Sequence, residues 1–498
     1  MVQREREVPV SGTAKAGSEV HIFWKGEEFR ASADIEGRWR TQVPSGPASA
    51  VPEVLRVESG SEALEARDLL VGEVWLASGQ SNMQWSLEEC GPGPWAAPDN
   101  LAPDPLLRVI TIPWNPAAMP QTGILETRWR SYDPESALKA SAVAQFFGQE
   151  LRRQLGIPVG IISSAVGGSP IEAWIPQEAL RPMPEARVSF AQAAEYKARY
   201  PQLLQEDEER KRAWEAEAAA NKSANRPPPP PVPWFGPKPG QDWRAPGFCW
   251  NGMINPLPPY AIRGVVWYQG EANVWRSGDY PVLLEMMVGV WRRAWGADDF
   301  PFFLVQLPGF DNEAEGAQGS TWARFREAQD AAARGLKNGG MAVALDLGEA
   351  KNIHPSRKKE VGERLAWLAA RRVYGKGVRE SGPVFERAEF VIGKAIVHFD
   401  SASDSLKTTD GKDPGAFSLA GQNLVFKPAA ARIDGRKILL STAEVPEPRF
   451  VRYAWANRPV DANLTDSSGL PAAPFRTDTD PNRGHGLAGR SSDDLHNH

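Results

Sequence analysis

Cysteine and histidine are scarce in this chain of 498 residues, which has two cysteines and six histidines. Two cysteines exclude a disulfide framework, and the sequence does not decide whether Cys90 and Cys249 form the single bridge that remains. There is no His-Glu-x-x-His motif and no cysteine pair at zinc-ligand spacing, so no metal site is expected.

The chain also lacks an excess of positive charge and has no long apolar runs. The 57 Lys and Arg residues are outnumbered by 62 Asp and Glu residues, and the net charge of −5 argues against nucleic acid and anionic membrane surfaces as partners. No apolar run approaches the roughly 20 residues of a membrane span. The first ten residues, MVQREREVPV, contain no signal core, which predicts either a cytoplasmic protein or a chain without its leader.

Several common catalytic motifs are missing. No Walker loop and no dinucleotide-type glycine loop follows a predicted strand, so no nucleotide cofactor is expected, and there is no Gly-x-Ser-x-Gly elbow. The chemistry must therefore come from a less common arrangement of side chains.

The length predicts two to four structural units, and the residue composition and hydrophobic pattern change along the chain. Short β-rich runs punctuated by glycine predict a small sandwich over 1–68. Residues 69–375 form an α/β domain, with a charged helical and proline-rich insertion at about 177–247. A β-rich accessory domain over 376–475 and a polar tail over 476–498 complete the chain.

Five largely apolar runs recur in the central region and are separated in several places by helix-like segments. They predict strands covered on both faces, as in a doubly wound parallel sheet. The runs are Leu69–Leu76, Val159–Ile162, Gly264–Trp267, Phe302–Val305 and Ala342–Leu345.

Each of the five runs is followed by small or polar residues with at least one glycine. Because parallel strands deliver their carboxyl ends to one edge of a sheet, these five loops predict one polar site. The first loop, Ser78-Gly79-Gln80-Ser81-Asn82, presents a serine hydroxyl directly after a buried strand.

A serine needs a base to become a nucleophile, and histidine is the usual one. Two of the six histidines lie in β-like runs of the flanking units, three lie in the polar tail, and only His354 follows the fifth strand. Elimination therefore pairs Ser81 with His354. The alternative role for His354 is that of a capping or packing residue. Pro355 suits the first turn of a helix, which predicts His354 just before a helix N-terminus.

A tetrahedral intermediate also needs hydrogen-bond donors for its oxyanion. The candidates are the backbone N–H of Ser81, an N–H at Gly168, and the side-chain amide of Asn273 or Gln269. The glycine can equally be a plain turn residue, and the amides can equally belong to a buried network. Glu271 and Asp346 form a rival constellation, the carboxylate pair of a glycoside hydrolase.

Four motifs in this order resemble the sialate O-acetylesterases, a branch of the SGNH hydrolases. They are Gly79-Gln80-Ser81-Asn82-Met83, the run from Gly167 to Trp174, the run from Trp267 to Asn273, and Ile353-His354-Pro355. Shorter matches are Asn251-Gly252-Met253-Ile254, the run from Trp322 to Gln329 and Tyr453-Ala454-Trp455, so the resemblance covers nearly the whole chain.

The resemblance implies a flavodoxin-like SGNH hydrolase core with accessory β domains, which removes acetyl groups from sugar hydroxyls and is secreted or periplasmic. Motif matching makes Ser81 the nucleophile and His354 the general base. It makes Gly168 and Asn273 oxyanion donors, with Gln269 a second candidate. The alternative that is not an enzyme is a carbohydrate-binding protein built on an esterase core that has lost its catalytic activity. Oligomeric state and the identity of the sugar are not readable from the sequence.

The third member of a triad is not evident, because the positions where many SGNH enzymes carry Asp hold Lys351 and Asn352. The ring of His354 then has three available acceptors: the Asn352 oxygen, a backbone carbonyl, or a carboxylate of Asp346 or Glu349. We expect Asp346 to brace the loop, which predicts a Ser81–His354 dyad oriented by a neutral acceptor.

Overall fold

The computed structural model describes residues 1–91, 100–232, 236–312, 315–316, 319–401 and 403–478. The predicted polar tail lies outside the described residues from position 479 onward, together with the three histidines that it contains.

The N-terminal part is built from short strands, as expected. Strand β4 (Glu27–Ser32) pairs with β3 (Glu19–Trp24), β3 with β6 (Ser49–Ser59), and β6 with β7 (Glu62–Gly79). Strands β2 (Glu7–Thr13) and β5 (Arg38–Pro44) form a separate two-stranded sheet. Apolar side chains of both sheets meet in one buried cluster that includes Ile22, Trp24 and Trp39. The first six strands are β1 (Val2–Gln3), β2 (Glu7–Thr13), β3 (Glu19–Trp24), β4 (Glu27–Ser32), β5 (Arg38–Pro44) and β6 (Ser49–Ser59).

Strand β7 (Glu62–Gly79) joins the N-terminal part to the centre of the molecule. Its first half is charged and exposed and pairs with β6, whereas every residue from Leu70 to Gly79 is buried. The predicted domain boundary at residue 68 therefore falls inside one continuous strand. The division of the chain into domains stays a prediction, although three separate buried clusters accompany it.

The central sheet contains six parallel strands in the order β8, β10, β7, β11, β12, β13, with β9 antiparallel at the β8 edge. β7, the first of the six along the chain, lies in the middle of the order. The strands after β7 are β8 (Asp104–Thr111), β9 (Arg130–Tyr132), β10 (Val159–Ala165), β11 (Gly264–Tyr268), β12 (Phe302–Val305) and β13 (Gly339–Ala342).

Helices cover both faces of this sheet. Trp75 and Trp267 point to opposite faces, because Trp75 lies opposite Gly264 and Trp267 is three residues further along β11. The Trp75 ring meets Phe147 of α3 at 5.4 Å, and the Trp267 ring meets Trp291 of α6 at 5.8 Å. The helices are α1 (Ser81–Gln84), α2 (Pro134–Lys139), α3 (Ala142–Leu155), α4 (Gln177–Leu180), α5 (Arg187–Ser223), α6 (Tyr280–Ala294), α7 (Thr321–Gly335) and α8 (Lys358–Tyr374).

Two strands of the central sheet differ from the sequence-based prediction. The parallel strand β8 was not predicted, because its run DPLLRVIT is interrupted by charge. The fifth predicted run was placed three residues too late, since β13 begins at Gly339 and ends at Ala342. Its two glycines suggest a turn, but a Cβ on Gly340 would meet Leu368 and Phe303 at 3.1 Å, so the close approach of neighbours explains them.

The β-rich region after α8 forms a four-stranded sheet in the order β14, β15, β20, β19, a second one in the order β18, β17, β21, β23, and a two-stranded pair. These strands share the second buried cluster, centred on residues such as Val397, Leu419 and Tyr453. They are β14 (Val384–Val391), β15 (Lys394–Asp400), β16 (Lys407–Thr408), β17 (Phe417–Ala420), β18 (Lys427–Pro428), β19 (Ala430–Asp434), β20 (Lys437–Ser441), β21 (Phe450–Tyr453), β22 (Leu464–Thr465) and β23 (Phe475–Arg476).

The predicted helical arm is helix α5, 37 residues long, in which only Ser189 and Asp207 are buried. The Trp214 indole N–H donates to the carbonyl of Pro229, which ties the proline-rich segment to the arm. Cys90 and Cys249 are both free thiols. Among the described helices, none combines the length and the apolar character needed to cross a membrane.

Helices α3 and α8 pack so closely that a side chain at Gly362 has no space. A Cβ there would lie 2.6 Å from the backbone nitrogen of Phe147 and 2.7 Å from the Phe146 Cβ. We expect Gly362→Ala to lower the free energy of unfolding by about 1–3 kcal/mol through overpacking.

Gly289 of α6 provides the matched control, because its nearest neighbour is the flexible end of Arg293 at 3.5 Å. Gly289→Ala should leave stability unchanged or raise it by roughly 0.5–1 kcal/mol. Urea denaturation followed by tryptophan fluorescence measures both variants, and equal effects at the two glycines would contradict the packing argument.

Candidate active site

The serine is presented by a turn that only glycine can make. Strand β7 ends at Gly79, whose φ is +140° and whose Cβ would lie 2.1 Å from the carbonyl oxygen of Tyr268. Helix α1 then begins at Ser81, so the serine N–H is one of the first-turn donors that have no partner within a helix. The Gln80 side chain accepts from the backbone N–H groups of Gly270 and Ala272 at 3.2 and 3.3 Å, which fixes the turn against the loop after β11.

Ser81 and His354 lie within hydrogen-bond distance of each other, 273 residues apart in sequence. The distance from Ser81 Oγ to His354 Nε2 is 2.8 Å. The helix after the histidine begins at Lys358 rather than at Pro355, so the prediction that Pro355 occupies its first turn is wrong. His354 instead lies in a loop held by other contacts.

The imidazole of His354 stacks on the indole of Trp85, with ring centroids 4.3 Å apart and an interplanar angle of 25°. Burial lowers the pKa of His354, and the positive charge of Lys358 lowers it further, while Glu89 opposes both. The ring is therefore biased towards its neutral form, the form in which Nε2 can accept a proton from Ser81.

The polar residues upstream of His354 brace its loop and do not bond to its ring. The Asn352 oxygen accepts from the His354 backbone N–H at 3.0 Å, and its amide donates to Glu349 Oε2. Glu349 Oε1 accepts from the backbone N–H and the hydroxyl of Ser356. Asp346 makes a two-pronged ion pair with Arg364 at 2.6 and 2.7 Å.

These contacts do not identify the acceptor on the ring, and the neutral acceptor stays a prediction. Asn352 is engaged by the backbone, and within the described ranges no residue accepts a hydrogen bond from His354 Nδ1. The expected bracing role of Asp346 agrees with its ion pair to Arg364.

The two predicted amides lie together, but only one reaches the cleft. Asn273 Oδ1 accepts from the Ile171 backbone N–H at 2.9 Å and from Gln269 Nε2 at 2.7 Å, and Asn273 Nδ2 donates to Glu172. Gln269 is fully buried and its amide also points towards the carbonyl of Ser169. Gln269 therefore orients Asn273, whose second amide hydrogen remains available.

Gly168 lies in the loop after β10 with a φ of +69°. Its N–H makes no hydrogen bond to any described residue. The adjacent Gly167 is close enough to Ser81 that an added Cβ would lie 3.5 Å from the serine Cβ. The loop thus brings one free backbone donor to the neighbourhood of the hydroxyl.

A cavity of about 530 Å³ opens beside Gly168 and Asn273. Its two arginines are paired: Arg244 with Asp242 at 2.8 Å, and Arg276 with Glu172. The lining is formed by Gly168, Pro170, Ser189, Gln192, Ala193, Tyr196, Asp242, Arg244, Ala245, Ala272, Asn273, Trp275 and Arg276. We call this cavity the α5 cleft, because helix α5 forms one wall.

No group of three or more metal-binding side chains occurs among the described residues. The chemistry that the geometry offers is that of a serine hydroxyl, a neutral imidazole and nearby N–H donors.

Comparison with known proteins places this geometry in a family. Residues 240–371 match the model of the carbohydrate esterase, sialic acid-specific acetylesterase family. The sialate O-acetylesterases of Rattus norvegicus and Homo sapiens are both 26% identical to the chain, covering 87% and 94% of it and 82% and 86% of their own lengths. The crystal structure of a carbohydrate acetylesterase from Xanthomonas citri is 33% identical over 96% of this chain and 97% of that one, with a TM-score of 0.79.

The chain belongs to the sialate O-acetylesterase family of carbohydrate esterases. Membership makes it an esterase enzyme, as the motifs predicted.

Two of the shorter sequence motifs shared with the sialate O-acetylesterases lie in helical segments of this esterase. The run from Trp322 to Gln329 lies in α7, and Asn251 to Ile254 lie in a π-helical turn over Trp250–Ile254. Gly252 of that turn has the carbonyl of Asn115 where a Cβ would lie. Both motifs bond to neighbouring loops, since Asn251 donates to the carbonyl of Ala117 and Gln329 to that of Gln269.

Two residues that contact His354 or influence its pKa were missed from the sequence. Trp85 follows Ser81 by four residues, one helical turn, and this spacing could have identified it. Lys358 gives no comparable signal, because a lysine in a helix ordinarily lies at the surface, whereas this side chain is 1% exposed.

We expect the pKa of His354 to lie below its ordinary value of about 6.5, because burial and Lys358 both disfavour the cation. Trp85→Ala opens one face of the ring to water, and the pKa should rise towards 6.5. NMR titration of the imidazole protons measures this, with the His354 signal assigned by its loss in His354→Gln.

Trp114→Ala is the control for this titration, because the Trp114 ring meets Trp243 and not the histidine. A wild-type midpoint at or above pH 6.5, or equal shifts in both tryptophan variants, would contradict the desolvation argument.

Proposed function

We propose that this esterase removes O-acetyl groups from carbohydrates, with Ser81 as nucleophile and His354 as general base. The observation that carries the proposal is the 2.8 Å contact between Ser81 Oγ and His354 Nε2. Gly168 and Asn273, the candidate oxyanion donors, line the neighbouring α5 cleft. The names of the relatives, which include sialate O-acetylesterases and a carbohydrate acetylesterase, support the same reaction.

The reaction proceeds in two acyl transfers. Ser81 Oγ attacks the acetyl carbonyl carbon while its proton passes to His354 Nε2. The tetrahedral intermediate collapses, the bond from carbon to the sugar oxygen breaks, and the imidazolium returns its proton to that oxygen. Water, deprotonated by His354, then attacks the acetyl-enzyme and releases acetate and free Ser81.

The oxyanion of both tetrahedral intermediates would be bound by three donors. They are the Ser81 N–H at the start of α1, the Gly168 N–H, and the free amide hydrogen of Asn273. Gln269 acts behind Asn273 as the residue that fixes its orientation.

We also infer that the central sheet is the doubly wound core of an SGNH hydrolase. The support is the strand order, in which β7 lies between later strands on both sides, and the helices on both faces. Ligands bind such sheets beyond the carboxyl ends of the strands near the reversal of order, and Ser81 directly follows β7.

The rival constellations have less support. The carboxylate pair of a glycoside hydrolase would need Glu271 and Asp346, but Glu271 is bonded to Asn82 and Asp346 to Arg364. A lapsed esterase core would not need Ser81 and His354 in contact. The acetylated sugar itself stays open, and acetate release from O-acetylated sialic acid, xylan and other glycans identifies it.

Ser81→Ala should abolish ester hydrolysis and leave the fold intact, because the hydroxyl is the bond-forming group. Removal of a serine nucleophile costs about 10⁶-fold in kcat in a well-studied hydrolase. Hydrolysis of a chromogenic acetate ester, with native circular dichroism as control, measures the loss. Retention of a tenth of wild-type turnover would exclude this assignment.

Replacing either nearby carboxylate should cost far less than the about 10⁴-fold loss caused by removing the Asp of a triad. Asp346 and Glu349 are bonded to Arg364 and to Ser356 and Asn352, not to the histidine ring. The values of kcat for Asp346→Asn and Glu349→Gln, each confirmed as folded, test the dyad. A folded variant that loses the full triad factor would identify its carboxylate as the third member.

A further inference from the structure

One buried amide connects the two residues of the dyad. Asn82 directly follows Ser81, and its Nδ2 donates to the backbone carbonyl of Ile353 at 2.9 Å, the residue directly before His354. The same nitrogen donates to Glu271 Oε1 in the loop after β11. The Asn82 side chain is 0% exposed and does not line the α5 cleft.

The oxygen of the same amide faces a buried cation. Lys358, the first residue of α8, donates from Nζ to Asn82 Oδ1. This is a costly place for an ammonium group, because the side chain is buried and the N-terminus of a helix carries partial positive charge. Burial lowers the pKa of Lys358 to about 8, while the negative charges of Glu271 and Glu349 oppose that shift.

The charge of the Glu271 carboxylate, on the other side of the amide, is also only partly balanced by hydrogen bonds and opposite charge. Burial raises the pKa of Glu271, while its own backbone N–H, the bond from Asn82 and the charge of Lys358 oppose that rise. Glu271 Oε2 is buried without a hydrogen bond to any described residue. Lys358 and Glu271 therefore meet through Asn82, and no direct ion pair joins them among the described contacts.

This arrangement fixes which way the amide points. The amide oxygen faces the ammonium of Lys358, and the amide nitrogen faces the carboxylate of Glu271 and the carbonyl of Ile353. Turning the amide by half a rotation would place its N–H groups against the cation and its oxygen against two acceptors. Only one orientation satisfies all three partner groups, so the two charged groups and the carbonyl hold the amide in that orientation.

We propose that Asn82, held between Lys358 and Glu271, is the positioning residue that keeps Ser81 and His354 at hydrogen-bond distance. The inference rests on the catalytic roles proposed above for Ser81 and His354. Asn82 acts through the residues next to it on each side of the contact and does not touch the substrate.

The expected signature is a loss of kcat without a change in KM. Misplacement of reacting groups by about 1 Å can cost about 10²-fold in rate, so Asn82→Ala should lower kcat by about that factor. KM should stay within about twofold, because Asn82 lies outside the cleft. Asn82→Asp should behave alike, since it keeps the shape but has no donor for Ile353.

Asn463 offers a matched control in the C-terminal β-rich region. Its side chain also makes three hydrogen bonds, to Asp410 Oδ1, the carbonyl of Asp413 and the N–H of Gly415. Asn463→Ala removes an amide with the same number of contacts and should leave kcat and KM at wild-type values.

The charged partners provide a second test, and its single variants do not depend on how the Asn82 variants fold. Glu271→Leu and Lys358→Met should each lower kcat by about tenfold or more in the wild-type background, since each removes one hydrogen-bond partner of the amide. In an Asn82→Ala background the same changes should add little, because residues that act as a unit are non-additive. The rate at which a fluorophosphonate labels Ser81 reports the same loss without any sugar substrate.

The outcomes separate this inference from the proposed function. A Ser81→Ala variant that keeps turnover would overturn the proposed function itself. An inactive Ser81→Ala together with wild-type kcat in Asn82→Ala and Asn82→Asp would overturn only the positioning role. So would additive effects in the double variants, or an equal loss of kcat in Asn463→Ala.

Discussion

The structure depends on one strand that cannot shift in register. Strand β7 pairs with β6 in its exposed first half and with β10 and β11 in its buried second half. A slip by one residue would turn the buried side chains of the second half to the opposite face of the central sheet and would also shift the pairing with β6. Because Ser81 follows the last residue of this strand by two positions, the register of β7 also sets the position of the serine.

The loop that carries His354 lacks the support of regular structure and is held by polar contacts instead. Glu349 and Asn352 fix its backbone, and Trp85 supports the ring from the serine side. In the proposed dyad, the stacked indole orients the imidazole, as a carboxylate does in a triad, but it adds no charge. Burial and Lys358 both lower the pKa of His354 and so favour the neutral imidazole, the form that can accept a proton. The same two effects disfavour the imidazolium.

The sequence predicts the parts of this site that follow from local pattern. The strand-turn signal before Ser81 is local, and His354 is identified because so few histidines exist. The start of β13 is not predictable in this way, since Gly339 and Gly340 resemble a turn until their neighbours in the fold are known. Lys358 and Asn82 are 276 residues apart, and neither carries a local signal of the contact between them.

Two buried glutamates, Glu73 in β7 and Glu271 in the loop after β11, are compensated in different ways. The comparison shows how the contact through Asn82 differs from a structural ion pair. Burial raises the pKa of Glu73, but hydrogen bonds and charges from Arg263 and Arg4 outweigh it and lower the pKa below its usual value. There the carboxylate is compensated directly, as expected of a structural ion pair.

At the catalytic end, burial prevails and the pKa of Glu271 is raised. Compensation through an amide is weaker than a direct ion pair, so this arrangement is a poor way to stabilise a fold. It is a good way to hold one amide in one orientation. That amide belongs to the residue after Ser81 and bonds to the residue before His354. On the proposed positioning role, the two unfavourably buried charges therefore orient the group that controls the distance between the hydroxyl and the imidazole.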